Sequence, residues 1–372
     1  MIPTKNVERY IDACLASVLG QSYWRVEVIV VDDASTDRTR SKLARWVSKD
    51  SRVQVFDVDV SDPNAARNFG IERARGEYVT FLDGDDVLLA GAYRDLIASL
   101  RATGSDFVVG SYDRLVGGRR TPAAFWIDEA HRVDRPGTTV QAFPDIMVNA
   151  VQWTKLYVRR FWDEAGLRFP EGGHFQDQIV SASAYSRASR FDVASRRIVA
   201  WRIRLEGTSM TQQTVSPRQV SDRFGSAAAA LAIVRAEAGA DVAEERLIQF
   251  LSNDVAIAAA QLPGMGDEAC RALRAGLLAL APPIERRAVW DRVPAESKVL
   301  YALLIAGDEA RARAYVEQGG LDLLAHELVV VDGRTYVTLP FWDDQDAALP
   351  LAWFQAAPRE LRAFEHARSS AH

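Results

Sequence analysis

The sequence predicts an α/β protein: a mostly parallel sheet wrapped by helices, joined to a mainly helical module that ends in a β-hairpin. Three observations carry this. Short apolar runs alternate with helix-period segments through residues 1–110, the pattern of βα units with right-handed crossovers. Beyond Pro217 the chain becomes rich in Ala, Arg and Glu, with helical periodicity to about residue 316. Near the end, Asp332-Gly333 stands between the β-rich runs of HELVVVDGRTYVTLPF, a strong type I′ hairpin signal.

Met1-Ile2-Pro3 leads directly into a helix over about 7–19, with Tyr10, Ile11, Cys14, Leu15, Val18 and Leu19 on its apolar side and Asn6 as its N-cap. A doubly wound domain opens with a full strand, and only the last residues of one fit ahead of this helix. The periodicity then predicts strands at 26–31, 53–58, 78–82 and 106–110, with helices at 36–48, 64–75 and 90–102. Residues 111–150 are broken by Gly117-Gly118, Pro122, Pro136 and Pro144 and read as an acceptor loop region. Lys155 to Ala165 and Asp177 to Ala188 read as helices, and Ile198 to Leu205 as a strand. The expected division is 1–215, with halves 1–110 and 111–215, followed by a helical module over 216–372.

The 372 residues suffice for a substantial core and two domains. A net charge of −5 argues against a general nucleic-acid binder. Cys14 and Cys270 lie far apart and fit a reducing compartment, and no Cys/His spacing suggests zinc. No apolar run approaches the roughly 18 residues of a membrane span, and no signal peptide precedes the first motif. The expected location is cytoplasmic, at the inner face of the membrane if the acceptor lies there.

Two acidic clusters carry the chemistry. VEVIVVDDASTD ends in Asp32, Asp33 and Asp37, and GEYVTFLDGDDVLL carries Asp83, Asp85 and Asp86. Each follows a buried-type strand, and ligands of open α/β sheets bind beyond the carboxyl ends of the strands. Both clusters are therefore expected in one crevice. Asp33, at a strand end, can accept a hydrogen bond from a ring N–H such as the imide of uracil. Asp83 and Asp85 form an Asp-x-Asp on a Gly turn, a hard-oxygen site for Mg²⁺ or Mn²⁺ holding a phosphate substrate. Otherwise Ser35, Thr36 and Asp37 simply cap a helix, and the second cluster is a solvated turn. Arg67 and Asn68, in NAARNFG, either brace the carboxylates or sit in surface salt bridges.

The segments IPTKNVERYIDACLASVLGQSY, VEVIVVDDASTD, AARNFGIERARGEYVTFLDGDD and WTKLYVRRFWDEAGLRFPEG, in this order and spacing, resemble family 2 glycosyltransferases of the GT-A fold over about residues 1–210. The resemblance implies an inverting transferase that uses a nucleotide-diphosphate sugar, UDP-linked for preference, and Mn²⁺ or Mg²⁺. It implies that Pro3 and Thr4 line the nucleotide pocket with Asn6 beside them, that Asp33 binds the base, and that Arg67 and Asn68 serve the donor site. Asp83 and Asp85 hold the metal, Asp85 most directly. Asp177 matches the general base, though the usual Glu before it is Gln176 here, which bears on acceptor orientation. Arg202 and Arg204, on one strand face ahead of Gly207-Thr208-Ser209, match a segment that binds the diphosphate. Relatives with a helical extension act on cell-surface polymers, so a glycan or polyol-phosphate acceptor is the expectation. A homo-oligomer through 216–372 and peripheral membrane association through the acceptor complete the expected partners. The rival readings are a sugar-nucleotide-binding homologue that has lost catalysis, and an Asp-x-Asp phosphoryl-transfer protein. The second lacks the phosphate-binding Lys it requires, since none lies between Lys49 and Lys155.

Overall fold

Four consecutive aliphatics, Val28 to Val31, are all but inaccessible to solvent, so this strand is covered on both faces, as its unbroken apolar run requires. It is the centre of a three-stranded parallel sheet, β1 (Ile2–Thr4), β2 (Val28–Asp33) and β3 (Val53–Val58), in the order β1-β2-β3. Helices α1 (Ile11–Leu19), α2 (Thr39–Lys49) and α3 (Pro63–Ile71) complete these units. The computed structural model describes residues 1–204, 216–283, 285–344, 346 and 349–370. β1 pairs Ile2–Thr4 with Val30–Asp32 only. A cavity of about 130 Å³ lies beside the uncovered start of β2, lined by Ile2, Val28, Ile29, Val79 and Leu82.

The remaining strands form a mixed sheet. These are β4 (Tyr78–Thr80), β5 (Val87–Leu88), β6 (Phe107–Val116), β7 (Arg119–Pro122), β8 (Arg135–Thr138), β9 (Lys155–Val158) and β10 (Phe191–Ile203). Its order is β4-β9-β6-β10-β5, with β7 on β6 and β8 on β10. β6 and β10 are parallel, while β4, β5, β7, β8 and β9 pair antiparallel to their neighbours. The parallel expectation for residues 1–110 thus holds for β1 to β3, and later strands insert antiparallel into the rest. Met1 joins the two sheets: its amino group donates to the Thr80 carbonyl at 3.0 Å, and its carbonyl accepts the Leu82 amide at 3.1 Å.

Several elements differ from the sequence reading. Lys155 to Val158 is strand, and only Arg159–Glu164 (α6, following α4 at Ala92–Thr103 and α5 at Phe125–Ala130) is helical. The reason is tertiary: Leu156 and Tyr157 pair with both β4 and β6, and Lys155 is fully buried. The strand expected from Ile198 starts at Phe191, with irregular register between Val193 and Val199; Leu205 lies outside the described residues. Asn6 does not cap the first helix, which begins at Ile11. Asn6 adopts φ 53° and its Oδ1 accepts the Thr36 amide at 2.8 Å, a left-handed conformation Asn tolerates better than most residues. Helix α7 (Asp177–Arg187) agrees with expectation.

The described chain divides into two compact units. The first takes its residues from 1–209 and 229–243, the second from 210–228 and 244–372. The helix Pro217–Glu237 contributes to both. In the first unit, Val180, Tyr185, Phe107 and Phe191 share a core with Ala230, Val234, Val242 and Ala243. The second unit packs Leu273 and Leu277 of the helix Asp267–Leu280 and Val299, Tyr301 and Leu304 of the helix Ala295–Ala306 into its own core. Its hairpin joins β11 (Leu328–Val331) to β12 (Arg334–Val337) through Asp332 and Gly333. Their φ values of 47° and 75° are the two positive angles that a type I′ turn needs.

Candidate active site

The parallel strands β1 and β2 bring their carboxyl ends together. Thr4 Oγ1 donates to Asp32 Oδ1 at 3.0 Å. Asp32 is wholly buried, and Ser35 Oγ (2.6 Å) and Arg40 Nε (3.0 Å) also bond its carboxylate. Its role is to tie the strand ends. Asp33 Oδ1 accepts the amides of Val60 (2.8 Å) and Ser61 (3.0 Å), and Lys5 Nζ approaches Oδ2 at 3.3 Å. Burial pushes the Asp33 carboxyl up, but these amides and Lys5 outweigh it and hold it below the usual range. Asp37 behaves as the helix-entry reading requires, its Oδ1 accepting the Thr39 amide at 2.9 Å.

The second cluster folds against β1. A Cβ on Gly84 would lie 2.8 Å from Thr4 Cγ2 and 3.3 Å from the Pro3 carbonyl oxygen, so Gly lets the acidic turn seat on Pro3-Thr4. The three acids then part company. Asp86 is buried; its Oδ1 accepts the Arg202 amide at 2.7 Å while its Oδ2 has no hydrogen-bond partner among the described residues. Burial, then Asp85 and Asp83, push its carboxyl well above the ordinary range. Asp85 Oδ2 receives Arg204 through Nε at 2.8 Å and Nη2 at 2.7 Å. Burial raises its carboxyl and Asp83 adds to this, while Arg204 opposes both. Arg202 Nε donates to the Asp85 carbonyl at 2.7 Å. Arg202 and Arg204 both lie over the Tyr10 ring, at 4.9 and 5.4 Å, on one side of the strand as alternation requires. Gly207, Thr208 and Ser209 lie outside the described residues.

Arg67 joins this turn to Asp177. Its Nη2 donates to Asp83 Oδ1 at 2.8 Å, and its Nη1 lies 3.9 Å from Asp177 Oδ1. Burial works against the guanidinium, but Asp83 and Asp177 hold it charged. Asp177 opens α7 just after Phe175, which has φ 61°. Its side chain keeps 26% exposure. Protein surroundings nevertheless push its carboxyl up, with Asp83 adding and Arg67 and Lys155 opposing. Asn68 does not brace the carboxylates. Its amide is committed to the Phe169 carbonyl (2.8 Å), the Phe169 amide (3.0 Å) and Glu171 (3.0 Å).

Sequence reasoning missed four residues here. Lys5 pairs with Asp33, and Tyr10 was assigned only to an apolar helix face. Gln152 Nε2 donates to the Asp177 carbonyl at 3.1 Å and to Ser181 Oγ at 2.8 Å, tying down the start of α7. Lys155 Nζ donates to the carbonyls of Asn149 (2.8 Å) and Val151 (2.7 Å), and burial lowers its pKa to about 7. Gln152 immediately precedes the quoted WTKLY run and Lys155 lies within it, and that run was their only sequence signal.

Among the described residues, no group of three or more His, Cys, Asp or Glu is arranged to hold a metal ion by itself. The residues still fit a divalent cation of the Mg²⁺ type, which is commonly bound by one or two carboxylates together with substrate phosphates. Asp85 and Asp83 supply the carboxylates, and the unpartnered Asp86 Oδ2 lies in the same turn.

An α/β domain whose acidic turn is linked through Arg67 to a second carboxylate, Asp177, has the groups that group transfer requires, and similarity to known proteins narrows the class. Residues 1–153 match Glycosyl transferase family 2. The uncharacterized glycosyltransferase EpsJ of Bacillus subtilis is 28% identical over 206 residues, 54% of this chain and 60% of that protein. The poly(ribitol-phosphate) beta-N-acetylglucosaminyltransferase TarS of Staphylococcus aureus is 28% identical over 221 residues, 58% of this chain but 37% of that protein. The chain thus spans only part of the length of these relatives. The crystal structure of S. aureus TarS 1–349 in complex with UDP-GlcNAc shares the fold, with TM-score 0.67 and 24% identity over 91% of this chain and 95% of that one. The similarity to glycosyl transferase family 2 thus lies in residues 1–153, and the chain shares the fold of TarS. No helix among the described residues is long and apolar enough to cross a membrane.

Proposed function

We propose that this chain is an inverting glycosyltransferase that moves a sugar from a UDP-type nucleotide sugar to a hydroxyl of a cell-surface glycan or polyol-phosphate polymer, with Mn²⁺ or Mg²⁺ as cofactor. The observation that carries the reading is the Asp83–Arg67–Asp177 line, with contacts of 2.8 and 3.9 Å. One guanidinium links the turn that would face the diphosphate to the carboxylate that would face the acceptor. The family match over residues 1–153 and the UDP-GlcNAc bound to TarS support the donor class. The poly(ribitol-phosphate) transferases among the relatives support the acceptor class.

Asp177 takes the proton from the acceptor hydroxyl, a role helped by a carboxyl raised above its ordinary range. Arg67 fixes its distance from the acidic turn. Gln152 and Ser181 hold its backbone and limit its wander. Asp33 and Lys5 meet the nucleoside, and Pro3 and Thr4 shape the floor beneath it. Asp85 and Asp83 would hold the divalent cation, which would supply charge neutralisation for the leaving diphosphate. Holding donor and acceptor in line supplies on the order of 7–11 kcal/mol in the best oriented cases.

The test is nucleoside diphosphate release from a panel of nucleotide sugars with Mn²⁺ or Mg²⁺, with and without polyol-phosphate polymers. UDP release that rises with acceptor is the expected result. No turnover with any donor, together with no thermal shift on adding UDP and Mn²⁺, overturns the proposal.

A further inference from the structure

We infer that Arg204 and the divalent cation compete for one place, Oδ2 of Asp85, and that Arg204 passes to the donor's diphosphate when the metal takes that oxygen. The inference rests on the metal-dependent transferase reading above and adds an exchange of cations to it. Two nitrogens of Arg204, Nε at 2.8 Å and Nη2 at 2.7 Å, converge on this single oxygen. The two side chains keep only 16% and 14% exposure. A metal bound through Oδ2 would meet the guanidinium head-on, with little water between them to screen the repulsion.

The neighbouring arginine makes the contrast. Arg202 Nε bonds a backbone carbonyl, that of Asp85, and its own amide holds Asp86 Oδ1 at 2.7 Å. Its backbone is also paired with Leu115 of β6. Arg202 therefore keeps its partners whether or not a metal is present. Arg204 lies one residue past the end of β10, and two of its nitrogens meet the carboxylate that a metal needs. The Tyr10 ring lies beneath both guanidinium groups. A ring face attracts a cation whatever acid lies beside it, so it supports Arg204 before and after the exchange.

Charge balance gives the direction. Without ligand, Asp83 pairs with Arg67 and Asp85 with Arg204, and the crevice is nearly neutral. Metal alone breaks the Arg204–Asp85 pair and sets two cations side by side. Metal together with a diphosphate brings the anion that receives Arg204. Arg204 thus weakens binding of metal alone and favours binding of metal with nucleotide, and by linkage the coupling is reciprocal.

The experiment measures Mn²⁺ binding by calorimetry, and by the electron paramagnetic resonance signal of free Mn²⁺, on the full chain. It is run at one fixed pH for all variants, with and without saturating UDP. Arg204→Gln is expected to bind Mn²⁺ alone about 10-fold more tightly than the unsubstituted chain, an ordinary coupling strength. With UDP this advantage disappears or reverses. Arg204→Lys, which keeps the charge but loses the two-pronged contact, is expected between them and serves alone if the Gln variant does not fold. Equal or weaker Mn²⁺ binding by Arg204→Gln without UDP overturns the inference, as does an advantage that UDP leaves intact. If the unsubstituted chain takes up no Mn²⁺ even with UDP, the metal reading falls and the exchange falls with it.

Discussion

Asp177, the proposed base, combines exposure enough to meet a hydroxyl with enclosure enough to favour its proton. Its 26% exposed side chain, the nearby Asp83 and the opposing Arg67 set that compromise. Asp177→Asn should lower transfer by about 10² or more while nucleotide affinity is retained, because a general base touches the acceptor alone. Turnover set against UDP affinity in the one variant checks this. The base works deprotonated, so transfer by the unsubstituted chain should fall as pH drops through the raised Asp177 pKa, at a higher pH than for an ordinary carboxylate. The same shift has a consequence for stability. The native state binds this proton more tightly than the unfolded chain, so above the folded pKa the ionised carboxylate costs stability. Thermal unfolding of Asp177→Asn at pH 7 should therefore show an unchanged or higher Tm.

At the scale of elements, His131 ties together pieces remote in sequence. Its Nδ1 lies 2.8 Å from the Ala194 carbonyl in β10, and its Nε2 lies 2.9 Å from Asn149 Nδ2. Asn149 Nδ2 also donates to the Gly110 carbonyl in β6 at 3.1 Å, and its Oδ1 accepts Thr154 Oγ1 at 2.9 Å. The ring must donate through Nδ1 and accept at Nε2, and a second proton would face an amide donor. Burial accordingly lowers the His131 pKa from 6.5 to about 4, with the Ala194 bond opposing and Lys155 adding. The unfolded chain takes up this proton below pH 6.5 and the native state resists it. This contribution to stability is thus present above pH 6.5 and lost as pH falls toward 4, on the order of 3 kcal/mol across that window. Urea unfolding at pH 7 and pH 4.5 should show His131→Gln losing less stability between the two than the unsubstituted chain. An equal loss would mean that the ring does not drive the change.

At the scale of the molecule, the first unit does not end where its candidate site residues end. Val234 and Val242 are buried in the core that holds Val180 and Tyr185 of α7. Each fully buried valine is worth roughly 1.5–3 kcal/mol. A fragment of residues 1–243 should therefore unfold cooperatively, and at a higher urea concentration than a fragment of residues 1–216. If the two fragments have the same midpoint, residues 229–243 add nothing to the first unit.

The sequence by itself determined the parallel core and the acidic turn. Buried parallel strands read as unbroken aliphatic runs, and Val28 to Val31 is such a run. Asp83-Gly84-Asp85 is local chemistry on a local turn. The hairpin at Asp332-Gly333 was equally legible, because its two positive φ angles are a local demand. Only the tertiary structure decided what each charged group meets. Asp32 and Asp33 are adjacent in sequence, yet one is sealed by Thr4, Ser35 and Arg40 and the other is bonded by the 60–61 amides. Asp85 and Asp86 likewise diverge because Arg204 reaches the first from 119 residues away, while the amide of Arg202 holds the second. Lys155 was read as helical because its neighbours fit a helical period, and pairing with strands on both sides overrode that. Alternation and propensity act over a few residues, whereas charge pairing and sheet insertion depend on which distant segments the fold brings within a few ångströms.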